Sequence, residues 1–93
     1  MLAIKFATEA YAELKKLRAH DRAIIVDALE RHLMGPDLQF GRRIELLRLA
    51  DGRAIYRLRV GDYRVFFDLD AVARLVMVRA IREKGRRTTE DIL

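Results

Sequence analysis

The feature that most constrains the fold of this chain is a β-hairpin at residues 56–69. Two stretches of alternating apolar and polar residues, 56–60 and 63–69, are separated only by Gly61 and Asp62. A two-residue connection that begins with glycine is typical of the tight turns that join antiparallel strands. The segment therefore predicts two neighbouring antiparallel strands, and the turn determines which residues lie opposite each other.

The position of this turn predicts a complete cross-strand register. The predicted pairs are Val60 with Tyr63, Arg59 with Arg64, Leu58 with Val65, Arg57 with Phe66, and Tyr56 with Phe67. Because side chains alternate between the two faces of a strand, one face of the hairpin is apolar and the other carries three arginines around Phe66. The aromatic rings of Tyr56, Tyr63 and Phe67 are expected on the apolar face and hence in the core.

The predicted pairing of Arg59 with Arg64 is unfavourable for the fold itself. Like charges directly opposite each other in a sheet destabilise the strand pair by up to about 1 kcal/mol. A polyanion bound to this face would offset the repulsion, and the ring of Phe66 would then be placed to stack on a base. The simpler alternative is a solvated basic surface, which is also the expectation for Arg53, Arg74 and Arg79.

Length and composition exclude several classes of protein. The 93 residues predict one domain, 1–93, with a single modest core. No segment has the length and hydrophobicity of a membrane-spanning helix, and the start is too short for a secretory signal, so a cytoplasmic protein is expected. The chain has no cysteine and two histidines without a neighbouring carboxylate cluster. We therefore expect no thiol chemistry, no metal site and no cofactor.

The net charge of +5 is distributed unevenly along the chain. Residues 42–87 hold 13 Lys and Arg residues against 6 Asp and Glu residues, whereas residues 1–41 hold 6 of each kind. The excess positive charge therefore falls on the part that contains the hairpin. Such a surface favours nucleic acid or an acidic protein as the partner, with binding that weakens as salt is added.

The remaining elements follow from hydrophobic periodicity. The pattern predicts a short strand at 2–6, a helix at 8–18 with Thr8 as N-cap and Tyr11 in the core, and a helix at 21–34 capped by Asp21 and stopped by Gly35 and Pro36. Because the connection between the helices is short, they are expected to form an antiparallel hairpin.

After the helices, alternation predicts strands at 43–49, 54–60, 63–69 and 74–81. The expected fold is α+β, with a short N-terminal strand, a helical hairpin and then an antiparallel sheet of three to four strands. The pattern does not say whether the first strand joins this sheet at an edge or in the centre. A short closing turn capped by Thr88 or Thr89 is expected near the end.

Two stretches carry a resemblance to a known family. Residues 56–65 read Tyr-Arg-Leu-Arg-Val-Gly-Asp-Tyr-Arg-Val, and residues 78–84 read Val-Arg-Ala-Ile-Arg-Glu-Lys. Together with the order of elements, they resemble the RelE/ParE superfamily of bacterial type II toxins over nearly the whole chain. Members of the RelE branch cut messenger RNA in the ribosomal decoding site, whereas the ParE branch poisons DNA gyrase on essentially the same scaffold, so the fold alone leaves both activities open.

The resemblance implies a set of site residues. The implied catalytic residues are Arg57, Arg59, Arg64 and Arg82, and the implied RNA-binding residues are Phe66, Lys84, Arg86 and Arg87. Two features depart from the RelE branch: arginine stands where that branch often has lysine on the third strand, and residues 86–93 contain no tyrosine. Arginine is a poor proton acceptor because it stays charged at ordinary pH. Glu83 is expected either to orient Arg82 through an ion pair or to act as an acid.

The function implied by the resemblance is that of a toxin which cleaves messenger RNA on the ribosome without a metal ion. The 2′-hydroxyl would attack the adjacent phosphate, Arg59 and Arg64 would hold that phosphate, and further arginines would neutralise charge from the side. The alternatives are a ParE-like inhibitor of DNA gyrase and a module that binds RNA or protein without catalysis.

The resemblance also implies partners. A cognate antitoxin with an acidic segment and a separate DNA-binding domain would hold the toxin inactive in a hetero-oligomer. The target would be the ribosome with its messenger RNA, or DNA gyrase in the alternative case. No membrane partner is expected.

Overall fold

The computed structural model describes residues 3–33 and 43–83. In chain order, the elements are β1 (Ala3–Phe6), α1 (Thr8–Lys16), α2 (Ala19–Leu33), β2 (Ile44–Arg48), β3 (Ala54–Val60), β4 (Tyr63–Asp70) and β5 (Leu75–Glu83). The predicted α+β class and the predicted order of elements are therefore confirmed. The expected stop at Gly35 and Pro36 and the closing turn near Thr88 lie outside the described residues.

The sheet has five strands in the order β1-β5-β4-β3-β2. Strands β2 to β5 form the antiparallel meander, and β1 pairs in parallel with β5 at the edge of the sheet. The four strands of the meander match the expected antiparallel sheet of three to four strands, and β1 joins them as a fifth strand. Its place depends on a pairing across some 70 residues, for which strand periodicity carries no signal.

The hairpin register is confirmed at all five predicted pairs, from Val60 opposite Tyr63 to Tyr56 opposite Phe67. Gly61 has a φ of +55° at the turn. This backbone conformation is strained for residues that carry a Cβ atom, so the glycine is what allows the strands to reverse in two residues.

One face of the sheet packs against both helices, and we call it the helix face. Leu14 of α1 and Leu29 of α2 pack with Val65 and Val78 of the sheet in the main hydrophobic core. The core also takes in Tyr56, Tyr63 and Phe67, as predicted, and the rings of Tyr56 and Phe67 stack with their centroids 5.3 Å apart. The opposite face of the sheet carries the arginines of the hairpin, and we call it the arginine face.

Two expectations for α1 and one for α2 were wrong. The N-cap of α1 is Ala7, without a side-chain cap bond, because the N–H of Ala7 donates to the carbonyl of Val78 and keeps the chain tied to β5 up to that residue. Tyr11 is 53% exposed and lies beside the Lys15 ammonium instead of in the core. Asp21 lies in the first turn of α2, which begins two residues earlier at Ala19.

A β-bulge separates the two halves of the β4–β5 pairing. The register steps from Phe66 opposite Ala80 to Phe67 opposite Val78, so β5 carries one extra residue, Arg79. Bulges reverse the alternation of side chains beyond the extra residue. As a result Val78 and Ile81 both reach the helix-face core, and Arg82 lies directly opposite Arg64.

Neither helix in the described part of the chain is both long enough and apolar enough to cross a membrane.

Candidate functional site

The centre of the arginine face is formed by Arg57 and Arg59 of β3 and Arg64 of β4. Arg59 lies opposite Arg64, and Arg57 lies one step along, opposite Phe66. Directly opposed residues in an antiparallel pair have Cβ atoms only about 4.5–5.5 Å apart, so the three guanidinium groups share one small surface. We call these three residues the arginine cluster.

Arg64 is held by the turn of the hairpin. Its Nη1 donates to the carbonyl oxygens of Gly61 at 3.0 Å and Tyr63 at 2.8 Å. Burial, together with the positive charges of Arg57 and Arg59, lowers the pKa of Arg64 below its ordinary value. A guanidinium nevertheless stays charged at neutral pH. The sheet therefore fixes a partly desolvated cation whose other N–H groups, within the described ranges, make no hydrogen bond.

Arg59 is exposed, and its guanidinium makes no hydrogen bond or ion pair with any other side chain of residues 3–33 and 43–83. Arg57 differs, because its Nη2 donates to the Glu45 carboxylate of β2 at 3.0 Å. Its Nε is buried and has no hydrogen-bond partner in the part of the chain that the structure describes. Among the described residues, one carboxylate, that of Glu45, forms an ion pair with the three guanidinium groups of the cluster.

Arg82 lies at the border of the cluster, opposite Arg64 on β5. Its Nη1 pairs with the Glu13 carboxylate of α1 and also donates to the Ile81 carbonyl at 3.2 Å. The expected role of Glu83 as the ion-pair partner of Arg82 is therefore taken by Glu13. Both Glu13 and Glu45 went unnoticed in the sequence, because their contacts depend on how β5 and β2 pair with their neighbours.

The structure corrects the expectation for Phe66. Its side chain lies on the arginine face as predicted, but it is only 1% exposed and forms a second apolar cluster with Ile55 and Ala80. The partly buried side chains of Leu47 and Leu49 pack against this cluster. A ring buried in this way does not offer an open surface for base stacking. Lys84, Arg86 and Arg87, the other expected RNA-binding residues, lie outside the described residues.

Other arginines near this face are neutralised locally. The Nε atom of Arg79 pairs with Asp68 at 2.6 Å, and that of Arg53 pairs with Asp51 at 2.7 Å. These two arginines line a groove of about 810 Å³ at the far end of the arginine face from the hairpin turn. Because their charges are already paired with carboxylates, the groove does not extend the positive surface of the cluster.

Arg43 contacts the cluster through its backbone. Its carbonyl accepts a hydrogen bond of 2.8 Å from the Arg59 N–H. Burial, followed by the positive charges of Arg43 and Arg31, lowers the pKa of His32 near the end of α2. Within the described ranges, no group of three His, Cys, Asp or Glu side chains is arranged to hold a metal ion.

The hairpin turn beside the cluster is joined to α2 by a hydrogen bond that the Tyr63 hydroxyl donates to Asp21 Oδ2 at 3.0 Å. Burial and this bond raise the pKa of Tyr63. A raised folded-state pKa contributes stability that is fully present below the ordinary pKa of about 10 and is lost as the pH rises through the folded value.

Tyr63→Phe should therefore lower the free energy of unfolding at pH 7 by about 1 kcal/mol. The difference in the free energy of unfolding between wild type and variant should become smaller above pH 10, because only the wild type then loses the contribution of this phenol. Urea unfolding at pH 7 and pH 11 measures this difference. An equal difference at both pH values would contradict a raised pKa of Tyr63 in the folded protein.

Comparisons with known proteins agree with the architecture. The sequence model of one family, described as the ParE toxin of the type II toxin-antitoxin system parDE, matches residues 4–87. A search of curated protein sequences finds no match.

Solved structures with the same fold include antitoxin complexes and a free toxin. The toxin-antitoxin complex RelBE2 from Mycobacterium tuberculosis matches with a TM-score of 0.69 at 22% identity, over 89% of this chain and 98% of that chain. The RelE-RelB complex of Pyrococcus horikoshii gives 0.66 at 21% identity, over 92% and 98% of the two chains. The isolated RelE toxin of Escherichia coli gives 0.61 at 17% identity, over 98% and 93%. At these identities the similarities establish the fold.

Proposed function

The chain belongs to the ParE toxin family of type II toxin-antitoxin systems, and from this premise we propose that it is a toxin that acts in the cytoplasm by cleaving messenger RNA on the ribosome without a metal ion. The observation that carries the proposal is the direct opposition of Arg59 and Arg64, neither of which is paired with a carboxylate among the described residues. Two such cations side by side form a site for a group with two anionic oxygens.

In the proposed reaction the arginine cluster holds the phosphate that is cleaved. The 2′-hydroxyl oxygen of the preceding nucleotide forms a bond to phosphorus, the bond from phosphorus to the 5′ oxygen breaks, and a cyclic phosphate remains on the upstream fragment. Arg59 and Arg64 would bind the two non-bridging oxygens, on which negative charge grows as the bond forms. Charge stabilisation by preoriented donors of this kind commonly supplies several kcal/mol of catalysis, on the order of 3–4 for one donor.

The two protons of the reaction need a different source. One leaves the 2′-hydroxyl and one is taken up by the 5′ oxygen, while the cluster consists of guanidinium groups that neither accept nor release protons at neutral pH. We propose that the ribosome orients the message and that water or ribosomal RNA carries these protons. Cleavage should therefore depend on the ribosome.

An antitoxin partner is part of the proposal. The similar structures from M. tuberculosis and P. horikoshii are complexes of a toxin with an antitoxin. We propose that a co-expressed antitoxin forms a hetero-oligomer with this chain and covers the arginine cluster with an acidic segment, while its other domain binds DNA. Arg59 and Arg64 would attract the acidic segment, since a carboxylate would occupy the position at the cluster that a phosphate of the message takes in the proposed reaction.

The experiment that tests the function is the mapping of new 3′ ends on a defined message translated in vitro with the full chain. We expect new 3′ ends that lie inside codons and appear only when ribosomes are present. Intact message on active ribosomes would contradict cleavage.

A second candidate function is the inhibition of DNA gyrase. The observation that favours it is the family match itself, which is to the ParE toxin. Loss of gyrase supercoiling activity, with the message left intact in the mapping experiment, would select this function. Cleaved message with unaffected supercoiling would select the nuclease.

A further inference from the structure

Glu13 of α1 contacts the sheet at a place where β5 has lost its neighbouring strand. Strand β1 pairs with β5 only as far as Phe6 opposite Val78, and Ala7 makes the last backbone bond to it. Beyond this point the Ile81 N–H is directed away from β4 and donates to Glu13 Oε1 at 3.0 Å. The carboxylate thus takes the place of a strand carbonyl at the partly buried edge of β5.

The same carboxylate also holds an arginine of the candidate site. Its second oxygen, Oε2, pairs with Nη1 of Arg82, the residue opposite Arg64. Only about a quarter of each side chain is exposed, 24% for Arg82 and 26% for Glu13. Because one oxygen is anchored to the backbone of β5, the other has a fixed position from which to orient the guanidinium.

We propose that Glu13 is a positioning residue for the proposed cleavage reaction: it holds Arg82 at the border of the arginine cluster so that the remaining N–H groups of the guanidinium face the bound phosphate. This inference rests on the proposed function for its catalytic meaning. The positioning itself concerns only α1 and β5 and can be measured without RNA.

The substitution Glu13→Gln separates the two contacts. The single side-chain oxygen of the glutamine can still accept a hydrogen bond from the Ile81 N–H. The amide nitrogen, however, presents N–H donors to the Arg82 guanidinium, which has no acceptor. The matched control is Glu30→Gln, which makes the same change in net charge at an exposed position of α2. Neither variant needs to disturb the core.

The first readout is the side-chain Nη1–H signal of Arg82 in NMR spectra of the full chain, assigned by its loss in Arg82→Lys. In the wild type we expect a signal protected from exchange with water. Glu13→Gln should reduce this protection about tenfold, and Glu30→Gln should leave it unchanged. Equal protection in all three proteins would overturn the proposal.

The second readout is the rate of ribosome-dependent cleavage. Glu13→Gln should lower kcat about tenfold with little change in KM, since misplacing one group costs turnover more than binding. In an Arg82→Ala background the same substitution should have no further effect, because the residue that Glu13 positions is gone.

The outcomes separate the two proposals. Full kcat in a Glu13→Gln variant with a lowered urea midpoint would show a purely structural role, and a raised kcat would show that Glu13 only masks charge; either result overturns the inference. If the wild type cleaves no RNA, the proposed function fails. The NMR signal alone then decides whether Glu13 positions Arg82.

Discussion

Arg64→Ala should reduce ribosome-dependent cleavage by a factor of about 10² to 10³, measured as kcat/KM on a defined message. The substitution removes a preoriented cation from the position where negative charge grows on the phosphate, and loss of one such donor typically costs about 3–4 kcal/mol of barrier lowering. The fold should tolerate the change, because within residues 3–33 and 43–83 the Arg64 side chain donates only to the carbonyls of its own turn. We expect a loss of about 1 kcal/mol in the free energy of unfolding.

Two further variants sharpen this prediction. Arg48→Ala removes an exposed arginine from β2 of the same sheet, on the helix face by strand alternation, and should change cleavage less than about twofold. Arg64→Lys keeps the charge without the planar pair of donors and should fall between Arg64→Ala and the wild type. An Arg64→Ala protein that cleaves as fast as Arg48→Ala would show that the cluster is only a solvated basic surface.

Phe66→Ala should lower the free energy of unfolding by about 3–5 kcal/mol in urea titrations. The ring is buried in a cluster with Ile55 and Ala80, and deleting a buried phenyl group removes its transfer free energy and leaves a cavity. Domains of this size are stable by about 5–15 kcal/mol, so the loss is a large share of the total. The matched control is Leu46→Ala, at a side chain 49% exposed on β2, which should cost less than about 1 kcal/mol.

This prediction separates the structural role of Phe66 from the stacking role that the sequence suggested. A stacking residue on an open surface would leave stability nearly unchanged when truncated and would weaken RNA binding by about 1–3 kcal/mol. A Phe66→Ala protein with the urea midpoint of the wild type and weaker RNA binding would instead show that the ring stacks on RNA bases.

The arrangement of the hairpin was predictable because its determinants are local. Gly61 and Asp62 set the turn, and the alternation on either side then assigned Arg59 to Arg64 and Tyr56 to Phe67. A one-residue slip would have exposed the whole apolar face, so only one register was compatible with a buried core. The same reasoning correctly placed Tyr63 and Phe67 against the helices.

The features that sequence reasoning missed depend on distant parts of the chain. The family resemblance implied Arg82 as a site residue, but strict alternation from Val76 and Val78 would have sent it to the helix face, and it is the bulge at Arg79 that brings it opposite Arg64. The contact of Glu13 with Ile81 requires that β1 end before β5 does. The Phe66 side chain was expected to be exposed, because alternation assigns a side chain to a face of the sheet but does not say what else packs on that face.

The most direct test of the central claim is the salt dependence of binding to a single-stranded RNA oligonucleotide. Each phosphate contact on a single strand contributes about −0.7 to the slope of log K against log salt concentration. We predict that Arg59→Gln and Arg64→Gln each make the slope shallower by about 0.7 and that Arg48→Gln leaves it at the wild-type value. Identical slopes for all four proteins would contradict the claim that Arg59 and Arg64 hold the RNA backbone.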